Sequence, residues 1–180
     1  MRRALAKTQA PYMLRIQVSH SYFLRYDRKQ WERGKPYPPL ATLQVASLLR
    51  DEGHTVSLFD AMLAEGVEDY GVALVAQAPQ LVVLYEDNFN YLTKMCLSRM
   101  REAACRMIGE ARAYGARGVV AGSDASDHPE VFLDAGAEAV HVGEGIEALA
   151  ELVERLERDP CVTAGEWTQG LPGVATLAAG

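Results

Sequence analysis

The chain has 180 residues, 49% of them hydrophobic and 23% charged, and a formal net charge of −6. That length and apolar content suit one well-buried domain with a short appendage, and the acidic balance excludes a general affinity for nucleic acid or an anionic membrane surface, both of which attract basic faces. Cys96, Cys105 and Cys161 are odd in number and irregularly spaced, which fits ordinary thiols in a reducing cytosol better than a disulfide framework or a zinc site, and no run reaches the roughly 18 apolar residues of a membrane span.

The expectation is a soluble, cytoplasmic protein with neither nucleic acid nor membrane as a partner. Residues 1–10 read as a loose start. "YMLRIQVSHS" alternates apolar and polar residues, a first strand ending near Ser19. From Ser21 to Pro39 the chain is polar and aromatic and broken by Gly34, Pro36, Pro38 and Pro39. A connection of that length is usually functional or disordered. "PLATLQVASLLRDEG" spaces Leu40, Leu43, Val45, Ala46 and Leu49 for a helix that Pro39 opens and Gly53 closes.

"HTVSLFDA" follows as a short strand ending at Asp60, and "VEDYGVALVAQAP" as a modest helix stopped by Pro79. "QLVVLYE" is a continuous apolar run, the form of a central parallel strand covered on both faces. A turn-rich "EDNFNY" leads into a long amphipathic helix from Leu92 to Tyr114. "ARGVVAGSDASD" supplies a fourth strand, His128 to Gly136 a short helix, "AEAVHV" a fifth strand, and Ile146 to Arg158 a last helix. Residues 160–180 show two short β-like pieces and no helix, a hairpin or linker leading out of the domain. The division is therefore a loose 1–10, a domain over 11–159 and an appendage over 160–180.

Strands alternating with helices bury themselves as a parallel sheet covered on both faces. The expected fold is a doubly wound, flavodoxin-like α/β domain of five parallel strands in the order 2-1-3-4-5, with a ligand crevice where strands one and three diverge. Five loops should ring that crevice: Ser19–Pro39, Ala61–Gly66, Glu86–Tyr91, Gly122–His128 and Gly143–Gly145. Gly122-Ser123 and Gly143-Glu144-Gly145 offer backbone donors without bulky side chains, which suits a closely packed cofactor as well as it suits a plain tight turn.

Several chemistries lack their residues. After strand one stands "SHSYFLRYD" in place of Gly-x-Gly-x-x-Gly, so the dinucleotide fingerprint is absent. A phosphorylatable receiver domain would end strand three in Asp and strand five in Lys, and neither is present. Among His20, His54, His128 and His141 no two are spaced i, i+4. His128, beside Asp124 and Asp127, is the best placed of them for a ligand, while Ser126 or Asp127 as a helix cap explains that cluster more simply. Asp60 reads as a cap after strand two.

Together, "YPPLATLQVASLLRDEGHTVSLFDA", "QLVVLYEDNFNY" and "RGVVAGSDASDHPEVFLDAGAEAVHVGEG" resemble the amino-terminal cobalamin-binding domain of cobalamin-dependent radical S-adenosylmethionine enzymes, over Tyr12 to Leu156. In that family a Pro-Pro-Leu opens the first helix, an Asp follows strand two, a glycine step follows strand four and Gly-Glu-Gly-Glu follows strand five. The resemblance implies a corrinoid laid over the carboxyl edge of the sheet with its nucleotide tail in the crevice. Ser19, Tyr22, Pro39 and Leu40 would border it on one side, Glu86, Asp87 and Asn88 in the middle, and Gly122, Ser123, Gly143, Glu144 and Gly145 on the other. It assigns no catalytic residue and no protein ligand to a metal.

Three features depart from the family pattern. "FDAMLAEG" keeps Asp60 but places Met62 or Leu63 where Asp-x-His-x-x-Gly would supply an axial His. "YEDN" replaces a small serine-containing turn after strand three, and "AGSD" has Ser123 for a second glycine. No Cys-x-x-x-Cys-x-x-Cys is present, so the iron-sulfur cluster and S-adenosylmethionine would belong to a radical domain in cis, beyond this chain. The resemblance thus implies a cobalamin-binding module of a radical methyltransferase, not catalytic alone. The residues leave two alternatives: a same-fold interaction domain that has lost the corrinoid, or a small nucleotide-binding enzyme with Glu86, Asp87 or Asp124 as acid or base.

Overall fold

A computed structural model describes residues 12–86, 97–143 and 146–177. Six strands form one sheet in the order β2-β1-β3-β4-β5-β6. They are β1 (Arg15–Ser19), β2 (Thr55–Phe59), β3 (Leu81–Tyr85), β4 (Arg117–Ala121), β5 (Ala139–His141) and β6 (Val174–Ala175). The first five run parallel, with Val18 paired to Leu58 on one side and Val83 on the other. This is the doubly wound arrangement and order that the alternation of patterns predicts.

Eight α-helices are described: α1 (Arg28–Arg33), α2 (Leu40–Asp51), α3 (Val67–Gln77), α4 (Leu97–Tyr114), α5 (Ser123–Asp127), α6 (Pro129–Ala135), α7 (Glu147–Arg158) and α8 (Ala164–Thr168). Because successive strand residues face opposite sides, the core divides in two. Leu14, Ile16, Val18, Leu81, Val83 and Val119 pack against α2 and α7, while Val82, Leu84, Val120 and Val140 pack against α3, α4 and α6. Helix α7 shows the sequence cause: Leu149, Leu152, Val153 and Leu156 recur every three or four residues and are all buried. Each such side chain contributes roughly 1.5–3 kcal/mol by leaving water.

Three connections differ from the sequence reading. The Ser21–Pro39 connection is packed: Tyr22, Phe23 and Leu24 are buried, a 3-10 turn spans Leu24–Tyr26, and Asp27 caps α1 by accepting from Gln30 N at 3.1 Å. Helix α1 escapes pattern analysis because none of its six residues is buried, so it carries no apolar period. Ser123–Asp127, read as loop, forms one helical turn and a half. The appendage also departs from the expected hairpin or linker. It contains α8 and a strand, β6, that pairs antiparallel with β5. Trp167 is fully buried and donates its indole N–H to Leu152 O at 2.7 Å. A five-residue helix anchored by one aromatic is too short for periodicity to reveal. Residues 1–11, the start of the helix expected at Leu92, and 178–180 lie outside the described residues.

Candidate functional site

Parallel topology brings the carboxyl ends of β1 to β5 to one edge, where β1 and β3 diverge to neighbours on opposite sides. At the centre of that edge lies a small polar cluster. Ser19 ends β1 and His20 and Ser21 follow it, all three buried. The His20 ring sits between two partners: Tyr22 N donates to Nδ1 at 3.2 Å, and Nε2 lies 3.0 Å from Asp60 Oδ1. Since Nδ1 accepts, Nε2 carries the proton and donates to the carboxylate. Asp60 also accepts from Met62 N at 3.0 Å, capping the 3-10 turn Ala61–Leu63, so one carboxylate fixes both the turn after β2 and the histidine after β1.

Glu86 follows β3 and occupies the middle. Its Oε1 accepts from Ser21 N at 2.9 Å, and its own backbone N–H donates to Ala121 O at 2.9 Å. Burial pushes its carboxyl up to about 7, with His20 and the Ser21 hydrogen bond pulling down and the charge of Asp124 pushing further up. The shift favours a carboxyl that keeps its proton well above the ordinary carboxylate range. The turn after β4 is shaped around it. A Cβ on Gly122 would stand 2.7 Å from Glu86 Cβ, and Gly122 has φ of 131°, so glycine here admits the Glu86 side chain.

The loops after β4 and β5 are tied to each other. Ser126 Oγ donates to Gly122 O at 2.9 Å and accepts from Gly143 N at 2.9 Å. Both backbone groups are thereby satisfied within the protein. Gly143 has φ of 104° and open space where a Cβ would be. Asp124 is gripped by Arg101, whose Nε lies 2.8 Å from Oδ2 while a second nitrogen reaches Oδ1. That bidentate pair commits both carboxylate oxygens of Asp124 to Arg101.

The residues that the sequence singles out divide as follows. Ser19, Glu86, Gly122 and Gly143 meet around this edge. Pro39 is buried at the start of α2, and Leu40 beside it is 62% exposed. Ser123 begins α5, half-buried. Tyr22 turns inward, packed with Leu24, Met62 and Met100, and its hydroxyl donates to Asp27 Oδ2 at 3.1 Å. Asp87, Asn88, Glu144 and Gly145 lie outside the described residues. Of the two candidates at the axial-ligand position, Met62 is buried and Leu63 is 73% exposed. His128 caps nothing with its side chain, and Ser126 bridges two loops rather than capping α6. Sequence reasoning missed the His20–Asp60 pair, whose members are 40 residues apart and whose only signal was a shared sheet edge.

Two interior atoms stand out. Gln17 and Ser19, two apart on β1 and so on one face of it, are buried, yet Gln17 Oε1 and Ser19 Oγ have no hydrogen-bond partner among the described residues. Native proteins leave few such groups unsatisfied. Around the edge outside them, Leu40, Leu63 and Val142 open apolar surface to solvent at the ends of the β1, β2 and β5 connections.

The fold and this edge define a doubly wound α/β domain with a polar cluster at its switch point. No family model and no curated protein matches the chain. Among solved structures, one titled "Crystal Structure of TesA" is similar at 18% identity and a TM-score of 0.37, over 67% of this chain and 69% of that one. A likeness that slight carries no functional argument.

Proposed function

We propose that this domain is a cofactor module that holds a corrinoid across the carboxyl edge of its sheet, within a radical S-adenosylmethionine methyltransferase. The observation that supports this reading is the pairing of an outward apolar rim, Leu40, Leu63 and Val142, with the unsatisfied interior atoms of Ser19 and Gln17. A flat macrocycle with apolar faces and a polar tail asks for both surfaces at one place. Leu63 is the exposed residue where an axial His would stand, so the chain would offer the cobalt an apolar neighbour rather than a nitrogen. Gly143, with open space above it, permits close approach on the far wall.

A bound corrinoid would supply the methyl-carrying cobalt; the residues of this chain bind and orient. Ser19 Oγ would hydrogen-bond a polar group of the ligand, Leu40 and Leu63 would exclude water from one face of the ring, and Glu86 would offer a protonated carboxyl to an acceptor. The fit has one obstacle. Glu86 rests against Gly122, across the way into the crevice, and must swing aside before a nucleotide tail can pass. That contact favours a second reading, a domain of the same fold in which Glu86 has closed the crevice for good.

Desalting the protein after incubation with hydroxocobalamin and recording the visible spectrum separates the two. Retained corrinoid on the wild-type chain supports the first reading. Retention only after Glu86→Gly supports the second. No retention by either folded protein overturns the corrinoid assignment.

A further inference from the structure

A cavity lies beside the Gly143 turn, between the end of β5, helix α7 and the turn leading into β6. Its volume is about 520 Å³, and His141, Val142, Ala148, Glu147, Leu171 and Pro172 are among the residues lining it. That is the size range of small-molecule sites. The roof is held by the backbone: Val142 N donates to Gly173 O at 2.6 Å. A Cβ on Gly173 would meet Val142 O at 2.9 Å and would come within 3.9 Å of His141 Nε2. Glycine at 173, with φ of 68°, is what lets the Leu171–Gly173 turn close over the histidine.

The chemistry of the lining is uneven in a useful way. His141 is 7% exposed, and no hydrogen bond joins its ring to any described residue. Burial holds its imidazole below the ordinary value, against the opposing pull of Glu147, which favours the neutral ring with one nitrogen that can accept. Glu151 also borders the cavity but is paired with Arg155 at 2.9 Å. No described cation pairs with Glu147, whose Oε2 accepts from Ile146 N at 3.1 Å, so its charge at the mouth is met by one backbone donor and by no counter-ion. The rest of the lining is apolar. No trio of His, Cys, Asp or Glu among the described residues is arranged for a metal ion.

We propose that this cavity binds a small organic cation, an ammonium group on a compact apolar body, with the ammonium donating to His141 and paired with Glu147 while the body lies on Val142, Leu171 and Pro172. The cavity shares Val142 and Gly143 with the rim proposed for the corrinoid, while the pair that meets the ammonium, His141 and Glu147, takes no part in that reading. The probe is 2-phenylethylammonium at pH 7.5, titrated against the full chain by calorimetry and by NMR of the His141 ring, with 3-phenylpropionate as the isosteric anion. The amine should bind saturably and shift the His141 ring signals, and the carboxylate should not. Glu147→Gln should weaken the amine about tenfold, and Ala148→Trp, which fills the cavity from helix α7, should abolish binding in a folded protein. Equal binding of amine and carboxylate, amine binding that survives Ala148→Trp, or no amine binding to the wild type overturns the assignment.

Discussion

Replacing Glu86 with Gln tests whether the carboxyl at the switch point is held protonated by its surroundings. The ordinary carboxyl value is 4.5 and the folded one is about 7, so the folded state binds the proton more tightly than the unfolded state does. The sign follows from linkage: stability is greatest below 4.5, where both states are protonated, and is lost as pH rises through 7. The full offset corresponds to about 3 kcal/mol. Part of that offset is already spent at pH 5, and solvent screening of a half-buried group reduces the remainder, leaving roughly 2 kcal/mol between pH 5 and pH 8. The amide of Gln keeps an oxygen for Ser21 N and cannot ionise. Urea denaturation of both proteins across pH 5–8 is the assay. The Gln variant should match the wild type near pH 5 and exceed it by roughly 2 kcal/mol at pH 8, and because His20 and every other titrating group is shared, the difference belongs to Glu86. Parallel profiles would refute the reasoning.

Two further substitutions probe the frame around the site. Trp167→Ala removes a fully buried indole and its hydrogen bond to Leu152 O, and should cost about 3–5 kcal/mol in the same denaturation experiment; a loss under about 1 kcal/mol would mean that residues 160–180 are a tether and not part of the core. Gly122→Ala drives a Cβ into Glu86 and forces an L residue to φ of 131°, so it should destabilise by about 2 kcal/mol or more, and Glu86→Gly in the same chain should recover the part of that loss due to the collision.

The fold was legible because its signals are long. Strand β3 is five apolar residues in a row, α7 has a full amphipathic stripe, and Pro39, Gly53, Gly115 and Gly136 punctuate helices where pattern analysis expects them. What the pattern hid was short or nonlocal. Helix α1 buries nothing and α8 buries two residues, so neither has a period to detect. The His20–Asp60 hydrogen bond joins the loops after β1 and β2, and sequence distance conceals it although both residues were in view. The sequence weighs His141 only for metal spacing, because it takes the fold of Leu171–Gly173 over it to make its ring part of a cavity wall.

The glycines of the two turns make the same point from the opposite direction. In the sequence, Gly122 and Gly143 carry one meaning, small residues after parallel strands that leave backbone donors for a ligand. In the fold they part. Gly122 is small because Glu86 needs the space, a contact between two protein groups. Gly143 is small with nothing above it, and its N–H, already taken by Ser126 Oγ, has no donor left to offer. The corrinoid proposed for this edge would therefore be gripped by side chains, Ser19, Glu86 and the apolar rim, more than by glycine backbone. Affinity should respond steeply to Glu86 and weakly to Gly143→Ala, up to the strain that a positive φ imposes. Retention of hydroxocobalamin measured on both variants decides it: a loss at Gly143→Ala matching that at Glu86→Gln would restore the backbone cradle that the turn sequence suggests.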